Sequence, residues 1–347
     1  MKKKVILYAT KFMDIYKDIE KCLSDMNFDV IWIEANTIPN NPYNKTLGYY
    51  TKDNLKSYML KASDKWEKLL REEPFLKSID FFISIIGIDI PPYVFEELDR
   101  RNPHIQKVLY LHDRVEGVYQ IDEFFQYYNK IFSFDFSDSR QFNIIHLPIY
   151  WVPISIDNSN IKYDIFGFAS YSQFKPERTK LFKEIKQLAQ KNHLNEYIKL
   201  YDKSYNQNRI KYAFKVIIKM LLKKNILNIR DIISGLITGN VVSPDKYRDL
   251  IGASNVVFDT QAEYQDGLTA RFMWALGAGK KIITTNPHVK KYDFYDPKQI
   301  LIIKDNVRDY SNEILKFIEY PYEPGIINRQ KVESYRIDNW INKLLYS

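Results

Sequence analysis

Short apolar runs alternate with amphipathic segments along the chain, and no other feature of the sequence constrains the fold as strongly. In the first half, the apolar runs that predict buried strands are Val5–Ala9, Val30–Glu34, Phe81–Ile86, Val108–Leu111 and Ile131–Phe134. The segments with helical spacing between them are Asp14–Asp25, Asn54–Leu70, Tyr93–Arg100 and Ile121–Tyr128. Strands that alternate with helices at this pitch predict a parallel sheet with helices on both of its faces.

The alternation pauses at Pro148–Pro153 and at Asp157–Lys162, and then it starts again. The second set of predicted strands is Tyr163–Phe168, Tyr197–Tyr201, Asn255–Asp259, Lys281–Thr285 and Ile300–Ile303, and the helices are Glu177–Gln190, Leu268–Leu276, Asn306–Ile318 and Gln330–Leu345. Because 347 residues are too many for one ordinary core, we predict an α/β protein of two Rossmann-like, doubly wound domains that face a cleft. We place the domains at 1–155 and 160–328, followed by a C-terminal helix at 329–347 that we expect to pack on the N-terminal domain.

The chain is basic, with 51 Lys and Arg against 43 Asp and Glu and a net charge of +8. This balance fits nucleic acid, an anionic membrane surface or a phosphorylated substrate as a partner, and a genome rich in lysine codons gives the same balance without any partner. The single cysteine, Cys22, excludes a disulfide framework and a cysteine-based zinc site, so we expect a cytoplasmic protein. No stretch approaches the roughly 20 apolar residues that a membrane span needs.

One segment, residues 203–230, departs from the alternation because it carries eight positive residues, many apolar ones and no acid. This composition is typical of a basic helix that contacts an anionic membrane surface or a phosphate-bearing lipid. It is also typical of a helix that faces the core and turns its lysines to solvent, which is the commoner case in large α/β domains. Since no nucleic-acid recognition motif accompanies the charge, we do not predict nucleic acid as a partner.

The segment 265–286 combines a turn, a short helix and a buried strand. Asp266 and Gly267 form a turn signal, and Thr269 is placed to cap the helix that follows. Arg271 would then lie in the first helical turn, where a cation opposes the helix dipole unless an anion is bound there. A diphosphate would accept hydrogen bonds from the first amides and from Arg271 together. The alternative is an ordinary αβ unit in which Arg271 forms a salt bridge with a neighbour.

Gly277 and Gly279 predict the end of this helix, and Asn286 is expected just beyond the carboxyl end of the next strand, where ligands gather in such sheets. The stretches Gly267–Arg271 and Ala275–Asn286 resemble the donor-site segment of bacterial GT-B glycosyltransferases that build capsule, lipopolysaccharide or O-antigen glycans. Tyr247–Asp259 and Lys162–Phe168 are similar to elements that precede this segment in the family. The sequence departs from the family at Trp274, where many relatives carry a glutamate that holds donor hydroxyls; Glu263 is a candidate replacement.

The resemblance implies a nucleotide-sugar donor, a glycan or lipid-linked acceptor and no cofactor. Its diphosphate would lie at the amides of Leu268, Thr269 and Ala270 with Arg271. The loop after Phe168, formed by Ala169, Ser170 and Tyr171, would approach the same phosphate. Lys175 and Arg178 follow that loop and would supply charge, although a solvated helix start is the commoner role for Lys175. Because the chain contains no Asp-x-Asp motif, we expect a metal-independent reaction.

An inverting transfer also needs a base that takes the acceptor proton. Candidates follow buried strands of the N-terminal half: Asp113 first, then His112, then Asp135, with Asp89 as a residue that would touch the acceptor. Each carboxylate would otherwise be a helix cap or a partner in a loop salt bridge. Two further readings stay open, a non-catalytic nucleotide or sugar binding protein and a nucleotide-sugar epimerase of the GT-B shape.

Overall fold

The computed structural model divides into two compact units, which are described separately. The first contains Met1–Tyr150, Gln265–Gly267 and Tyr335–Ser347, and the second contains Trp151–Tyr264 and Leu268–Ser334. The structure describes residues 2–35, 63–71, 76–85, 90–118, 120–156, 161–172, 175–207, 209–221, 227, 229–261, 265–304 and 306–347. Asp89 and Glu263, which the sequence marks as candidate contacts, lie outside these ranges.

The first unit is built on a six-stranded parallel sheet with the order β2-β1-β3-β4-β5-β6. Its strands are β1 Lys4–Ala9, β2 Asp29–Glu34, β3 Phe81–Ile85, β4 Gln106–Leu111, β5 Lys130–Ser133 and β6 Ile145–His146. Strands β1, β3 and β4 are buried along nearly their whole length, because helices cover both faces of a doubly wound sheet. The first five strands confirm the runs that the sequence predicts.

The helices of this unit are α1 Ile15–Asp25, α2 63–71, α3 Pro92–Arg101, α4 Phe136–Gln141 and α13 Ile337–Tyr346. Helix α13 packs on α1 and β4. Its Trp340 is fully buried and donates from Nε1 to the Pro148 carbonyl oxygen at 3.0 Å.

The segment Ile121–Tyr128, which has helical spacing in the sequence, forms a 3-10 helix over Ile121–Tyr127 instead of an α-helix. A 3-10 helix places residues i and i+3 on the same side. Phe124 and Tyr127 both pack on the core in this way, with ring centroids 6.3 Å apart. Phe124 and Tyr127 are therefore spaced by three residues, and this spacing also fits an α-helix when only the sequence is considered.

The second unit also has a six-stranded parallel sheet, with the order β12-β11-β10-β7-β8-β9. Its strands are β7 Tyr163–Ser170, β8 Glu196–Tyr201, β9 Ile237–Thr238, β10 Ser254–Asp259, β11 Lys281–Thr284 and β12 Ile300–Ile302. This is the Rossmann order, in which the direction of winding reverses between β7 and β10. The predicted α/β class, with two doubly wound sheets, is confirmed.

The helices of the second unit are α5 Pro176–Lys191, α6 Lys203–Gln207, α7 Arg209–Leu221, α8 Ile229–Ile233, α9 Pro244–Gly252, α10 Ala270–Gly277, α11 Ser311–Glu319 and α12 Ile326–Glu333. The single helix predicted at Gln330–Leu345 is wrong, since α12 ends at Glu333 and α13 begins at Ile337. Arg336 between them has an extended backbone and pairs with the Asp338 carboxylate at 2.6 Å. Within the ranges that the structure describes, no helix combines the length and the apolar content needed to cross a bilayer.

Candidate functional site

Several of the residues that the sequence marks for donor binding lie on elements at the carboxyl edge of the second sheet. Ser170 ends β7 and is exposed, and Asp259 ends β10 and is buried. Helix α10 begins at Ala270, soon after β10. Because β7 and β10 flank the point where the winding reverses, the crevice beyond their carboxyl ends is the expected ligand site of this sheet.

Thr269 caps α10, as the sequence predicts. Its hydroxyl oxygen accepts from the amide of Phe272 at 3.1 Å and donates to Oδ1 of Asp259 at 2.9 Å. The cap satisfies one of the amides at the helix start and ties the start of α10 to the end of β10.

Arg271 lies against Asp259, as in the salt-bridge alternative. Its Nε donates to Asp259 Oδ1 at 3.1 Å, and its Nη2 donates to the Thr260 carbonyl oxygen at 3.1 Å. Burial acts to lower the pKa of Arg271, but the neighbouring Asp259 carboxylate raises it above its ordinary value. The guanidinium is therefore a fixed cation at the first turn of α10. Among the described residues, its Nη1 donates no hydrogen bond, so part of its donor capacity faces away from Asp259.

The amides that begin α10 are the second source of positive character. Within the described ranges, the N–H groups of Leu268, Thr269, Ala270 and Arg271 donate to no acceptor. The first amides of a helix carry partial positive charge and bind anions. The Leu268 side chain is 1 % exposed and belongs to the core. Leu268 can therefore contribute to the site only through its backbone amide.

A second arginine approaches the same edge from the start of α5. The Tyr247 hydroxyl donates to the Phe168 carbonyl oxygen at 3.1 Å. Burial raises the pKa of Tyr247 well above its ordinary value, and the charges of Arg271 and Arg178 act to lower it. The charges of both guanidinium groups therefore act on the Tyr247 hydroxyl. The donor-binding role of Arg178 and Arg271 stays a prediction, and the structure adds Asp259 as the direct partner of Arg271.

Trp274 occupies the helix position where relatives of the resembled family carry glutamate. Its side chain is 1 % exposed, and the Arg248 guanidinium lies 4.7 Å from the centre of its ring. The Tyr247 ring meets Trp274 edge-on, with centroids 6.0 Å apart. The position is therefore filled by aromatic packing, and no carboxylate is available at this point of α10 to bind a sugar hydroxyl.

Asn286 follows β11 and is 1 % exposed. Its side-chain oxygen accepts from the His288 amide at 2.8 Å and caps the 3-10 turn Pro287–Lys291. Its own amide donates to the Thr284 hydroxyl oxygen at 3.1 Å. Asn286, which the sequence predicts as a donor-binding residue, therefore also stabilises the turn that follows β11.

The structure corrects the role predicted for Asp135. This residue is fully buried, and one carboxylate oxygen accepts from the amides of Ser137 and Asp138 and thereby caps α4. The other oxygen accepts from the amides of Asp266 and Gly267 at 2.6 and 3.1 Å. Both oxygens are thus occupied by backbone donors, which is the helix-cap alternative and not the geometry of a proton acceptor.

Gly267 also meets a structural requirement. A Cβ atom added to this residue would lie 2.4 Å from the Phe134 ring, so the turn needs glycine in order to approach β5. A phosphate is not required to explain this glycine.

His112 and Asp113 follow β4 directly, at the carboxyl edge of the first sheet. His112 is half-buried, and burial lowers its pKa although the Asp113 charge opposes the shift. Asp113 is exposed, and its carboxylate accepts no hydrogen bond from the described residues. In the described ranges, no three His, Cys, Asp or Glu side chains are grouped so as to hold a metal ion.

A cavity of about 530 Å³ opens at the opposite, amino edge of the second sheet. Lys280 and Lys281 line it, and their ammonium groups bind backbone carbonyl oxygens. Lys280 bonds the Gly252 carbonyl at the end of α9, and Lys281 bonds three carbonyls at and beyond the end of α11. Burial lowers the pKa of Lys281 to about 8. The lysines thus complete two helix ends instead of presenting charge to a ligand.

No protein-family model and no curated protein matches the chain. Solved structures match over nearly its whole length. An α,α-trehalose-phosphate synthase (UDP-forming) from Burkholderia vietnamiensis has a TM-score of 0.60 and 9 % identity, covering 99 % of this chain and 96 % of that chain. The N-terminal domain of Candida albicans trehalose-6-phosphate phosphatase has a TM-score of 0.54 and 13 % identity, covering 99 % and 96 %. The S. aureus MnaA–UDP structure has a TM-score of 0.50 and 9 % identity, covering 98 % and 92 %. The chain therefore has the GT-B fold.

Proposed function

We propose that the protein is a glycosyltransferase that moves a sugar from a nucleotide-diphosphate donor to a glycan or lipid-linked glycan acceptor. The observation that carries this proposal is the start of α10. Four successive amides without acceptors among the described residues stand beside the fixed cation of Arg271 at the winding reversal of a Rossmann-type sheet. This combination suits a diphosphate.

In the proposed reaction, an acceptor hydroxyl oxygen forms a bond to the anomeric carbon of the donor sugar. The bond from that carbon to the diphosphate oxygen breaks, and its electron pair leaves with the diphosphate. The amides of Thr269, Ala270 and Arg271, together with the guanidinium groups of Arg271 and Arg178, stabilise the charge that develops there. The reaction requires no cofactor, because protein groups supply the positive charge.

Asp113 is the proposed base, since its carboxylate is exposed and accepts no hydrogen bond from the described residues. It would receive the proton that the acceptor hydroxyl loses. His112, one residue earlier on the same loop, is the alternative base. Its lowered pKa favours the neutral imidazole that a base needs.

UDP is the first nucleotide to test, because one similar structure is named as a UDP-forming synthase and another was solved with UDP. The resemblance of the 267–286 segment supports an acceptor in bacterial surface polysaccharide synthesis, and the proposed location is the cytoplasm.

The experiment is a panel of UDP-, GDP- and dTDP-sugars, each incubated with and without oligosaccharide and lipid-linked acceptors. The proposal predicts release of nucleoside diphosphate that depends on an acceptor, together with a glycosylated product. Conversion of the donor sugar to an epimer without any acceptor would instead identify an epimerase. Nucleotide binding without release in any arm would identify a binding protein.

Two conservative variants separate the candidate bases. Asp113→Asn should abolish transfer and leave donor binding intact, whereas His112→Gln should retain transfer. If the outcomes are reversed, His112 is the base. In that case log kcat/KM should fall at low pH because the imidazole must be neutral, and the midpoint of the fall should lie below the ordinary value for histidine because burial lowers the pKa of His112.

A further inference from the structure

Helix α7 exposes a row of three large apolar side chains. Ile210, Phe214 and Ile218 are 71 %, 61 % and 55 % exposed. Residues four apart lie on the same side of a helix, so the three form one continuous row, here called the α7 row. Large apolar side chains that are aligned on a surface mark an interaction site more often than scattered ones do.

The opposite side of α7 is fixed in the core. Tyr212 and Val216 are 5 % and 3 % exposed and belong to the hydrophobic core of the second unit. The Tyr212 hydroxyl also donates to Oδ2 of Asp202 at 2.9 Å. The rotation of the helix is therefore set by packing, and the α7 row cannot turn inward without breaking it. A helix that faces the core explains Tyr212 and Val216 but leaves the α7 row without an explanation.

The segment of the chain that contains the α7 row is rich in positive charge. Residues 203–230 include eight Lys and Arg and no acid, and in the sequence Lys211, Lys215 and Lys219 each directly follow one residue of the row. The nearest acids along the chain are engaged within the protein. Asp202 accepts from Tyr212 and Ser204, and Asp231 is buried and pairs with Lys183 at 3.1 Å.

We propose that α7 docks on an anionic lipid bilayer, with the α7 row inserted among the acyl chains and the lysines against the headgroups. An amphipathic helix lies in the membrane interface in this way when an apolar face adjoins a Lys-rich face. Charge complementarity favours this occupant over a second copy of the chain, because symmetric pairing would bring two basic segments together. Nucleic acid would use the lysines but has no place for the three apolar side chains.

This proposal does not depend on the proposed reaction, since vesicle binding is measured without donor or acceptor. If both hold, the docked helix brings the second unit to the surface that carries lipid-linked acceptors.

The experiment is flotation of the full chain with phosphatidylcholine vesicles and with vesicles that also contain phosphatidylglycerol. Binding is expected to the anionic vesicles and should weaken as salt screens the headgroups. The triple variant Ile210→Ser, Phe214→Ser, Ile218→Ser should bind at least about tenfold more weakly. The matched control is Ile326→Ser, Ile327→Ser on α12, whose side chains are 77 % and 71 % exposed. This control should bind like the unchanged protein.

Charge is tested separately by Lys211→Gln, which should weaken binding about fivefold. All the substituted side chains are exposed, so the unfolding midpoint of each variant should match that of the unchanged chain.

Three outcomes would overturn the proposal. The first is no binding to anionic vesicles, or equal binding to both vesicle types. The second is a triple variant that binds like the unchanged chain. The third is that the triple substitution disrupts a dimer seen by light scattering, or a complex with an oligonucleotide, but leaves vesicle binding unchanged.

Discussion

The two edges of the second sheet each hold a cation that is largely withdrawn from solvent, yet the two cations are bound in different ways: Lys281 is buried and Arg271 is half-buried. At the amino edge, Lys281 places its ammonium 2.6 to 2.8 Å from three carbonyl oxygens, which matches the three donors of an ammonium group. At the carboxyl edge, Arg271 donates from Nε and Nη2 to Asp259 and Thr260. A guanidinium has five N–H donors, so most of its donors are not used by described residues.

The difference shows that burial of a cation does not by itself indicate a ligand site. A cation whose donors are all bound to backbone has a structural task, and Lys281 completes the end of α11. A cation that keeps donors beside unpaired helix amides is arranged to accept an anion. The cavity of about 530 Å³ lies at the amino edge, whereas the amides and guanidinium donors that have no acceptor among the described residues lie at the carboxyl edge. Cavity volume and available donors therefore point to opposite edges of the same sheet.

The largest expected effect is on turnover and comes from Arg271→Ala. We expect nucleoside diphosphate release to fall about 10²-fold or more, because one charge-assisted contact to the leaving group is lost. Steady-state kinetics measures this, with unfolding midpoints as a check that the variant is folded. The control is Arg329→Ala, at the amino-edge cavity, which should leave turnover unchanged. Equal turnover in both variants would remove Arg271 from the site.

The next effect is on stability and comes from Lys281→Ala. Loss of the ammonium removes one donor from each of three carbonyl groups, of which, among the described residues, only that of Ile318 keeps another donor, the Asn255 side-chain amide at 2.9 Å. We therefore expect the free energy of unfolding to fall by about 2 kcal/mol. Denaturant unfolding measures this, and turnover per folded molecule should not change. Lys298→Ala, an exposed lysine near β12, is the control. A loss of turnover in folded Lys281→Ala would show that the amino edge has a part in the reaction.

Gly277→Ala changes the amino-edge end of α10. The added Cβ would lie 2.3 Å from the Trp151 ring, so the ring or the helix must shift, and we expect a loss of about 1.5 kcal/mol of stability. At Gly325, a Cβ would meet no atom within 4 Å, which makes Gly325→Ala the matched control for the same unfolding measurement. If both substitutions lower the free energy of unfolding by the same amount, the close approach of Gly277 to the Trp151 ring is not the reason for glycine at position 277.

The smallest effect is expected from Thr269→Ala at the carboxyl edge. The variant loses the cap on the Phe272 amide, at a cost of about 1 kcal/mol in unfolding free energy. Thr269→Ser keeps the hydroxyl and should recover most of this loss. Should the serine variant be as unstable as the alanine variant, the contribution of Thr269 comes from its methyl group and not from the cap.

Much of the fold could be predicted from the sequence, because strands buried on both faces appear as continuous apolar runs. The runs at Val5–Ala9 and Asn255–Asp259 are examples, and they match β1 and β10 to within one residue. Strands β6 and β9 have two residues each and are too short to produce a pattern. At the break between α12 and α13, Arg336 has an extended backbone and pairs with Asp338, and the apolar periodicity of the sequence does not reveal this.

The site was predictable only where local chemistry determines it. The helix cap formed by Thr269 could be predicted from the local sequence around the Asp266–Gly267 turn, and it is confirmed. The binding of Asp135 to the Asp266 amide joins residues 131 positions apart, so no sequence pattern indicates it. Asp259 was missed as the partner of Arg271, although its signal is an acid at a strand end ten residues before the cap.

The most direct measurement is a crystal structure of the protein soaked with a mixture of UDP, GDP and dTDP. The account predicts one bound nucleotide whose diphosphate oxygens lie within hydrogen-bond distance of the Ala270 and Arg271 amides and of the Arg271 guanidinium. A nucleotide bound in the cavity lined by Lys280 and Lys281, or a diphosphate remote from the start of α10, would contradict it.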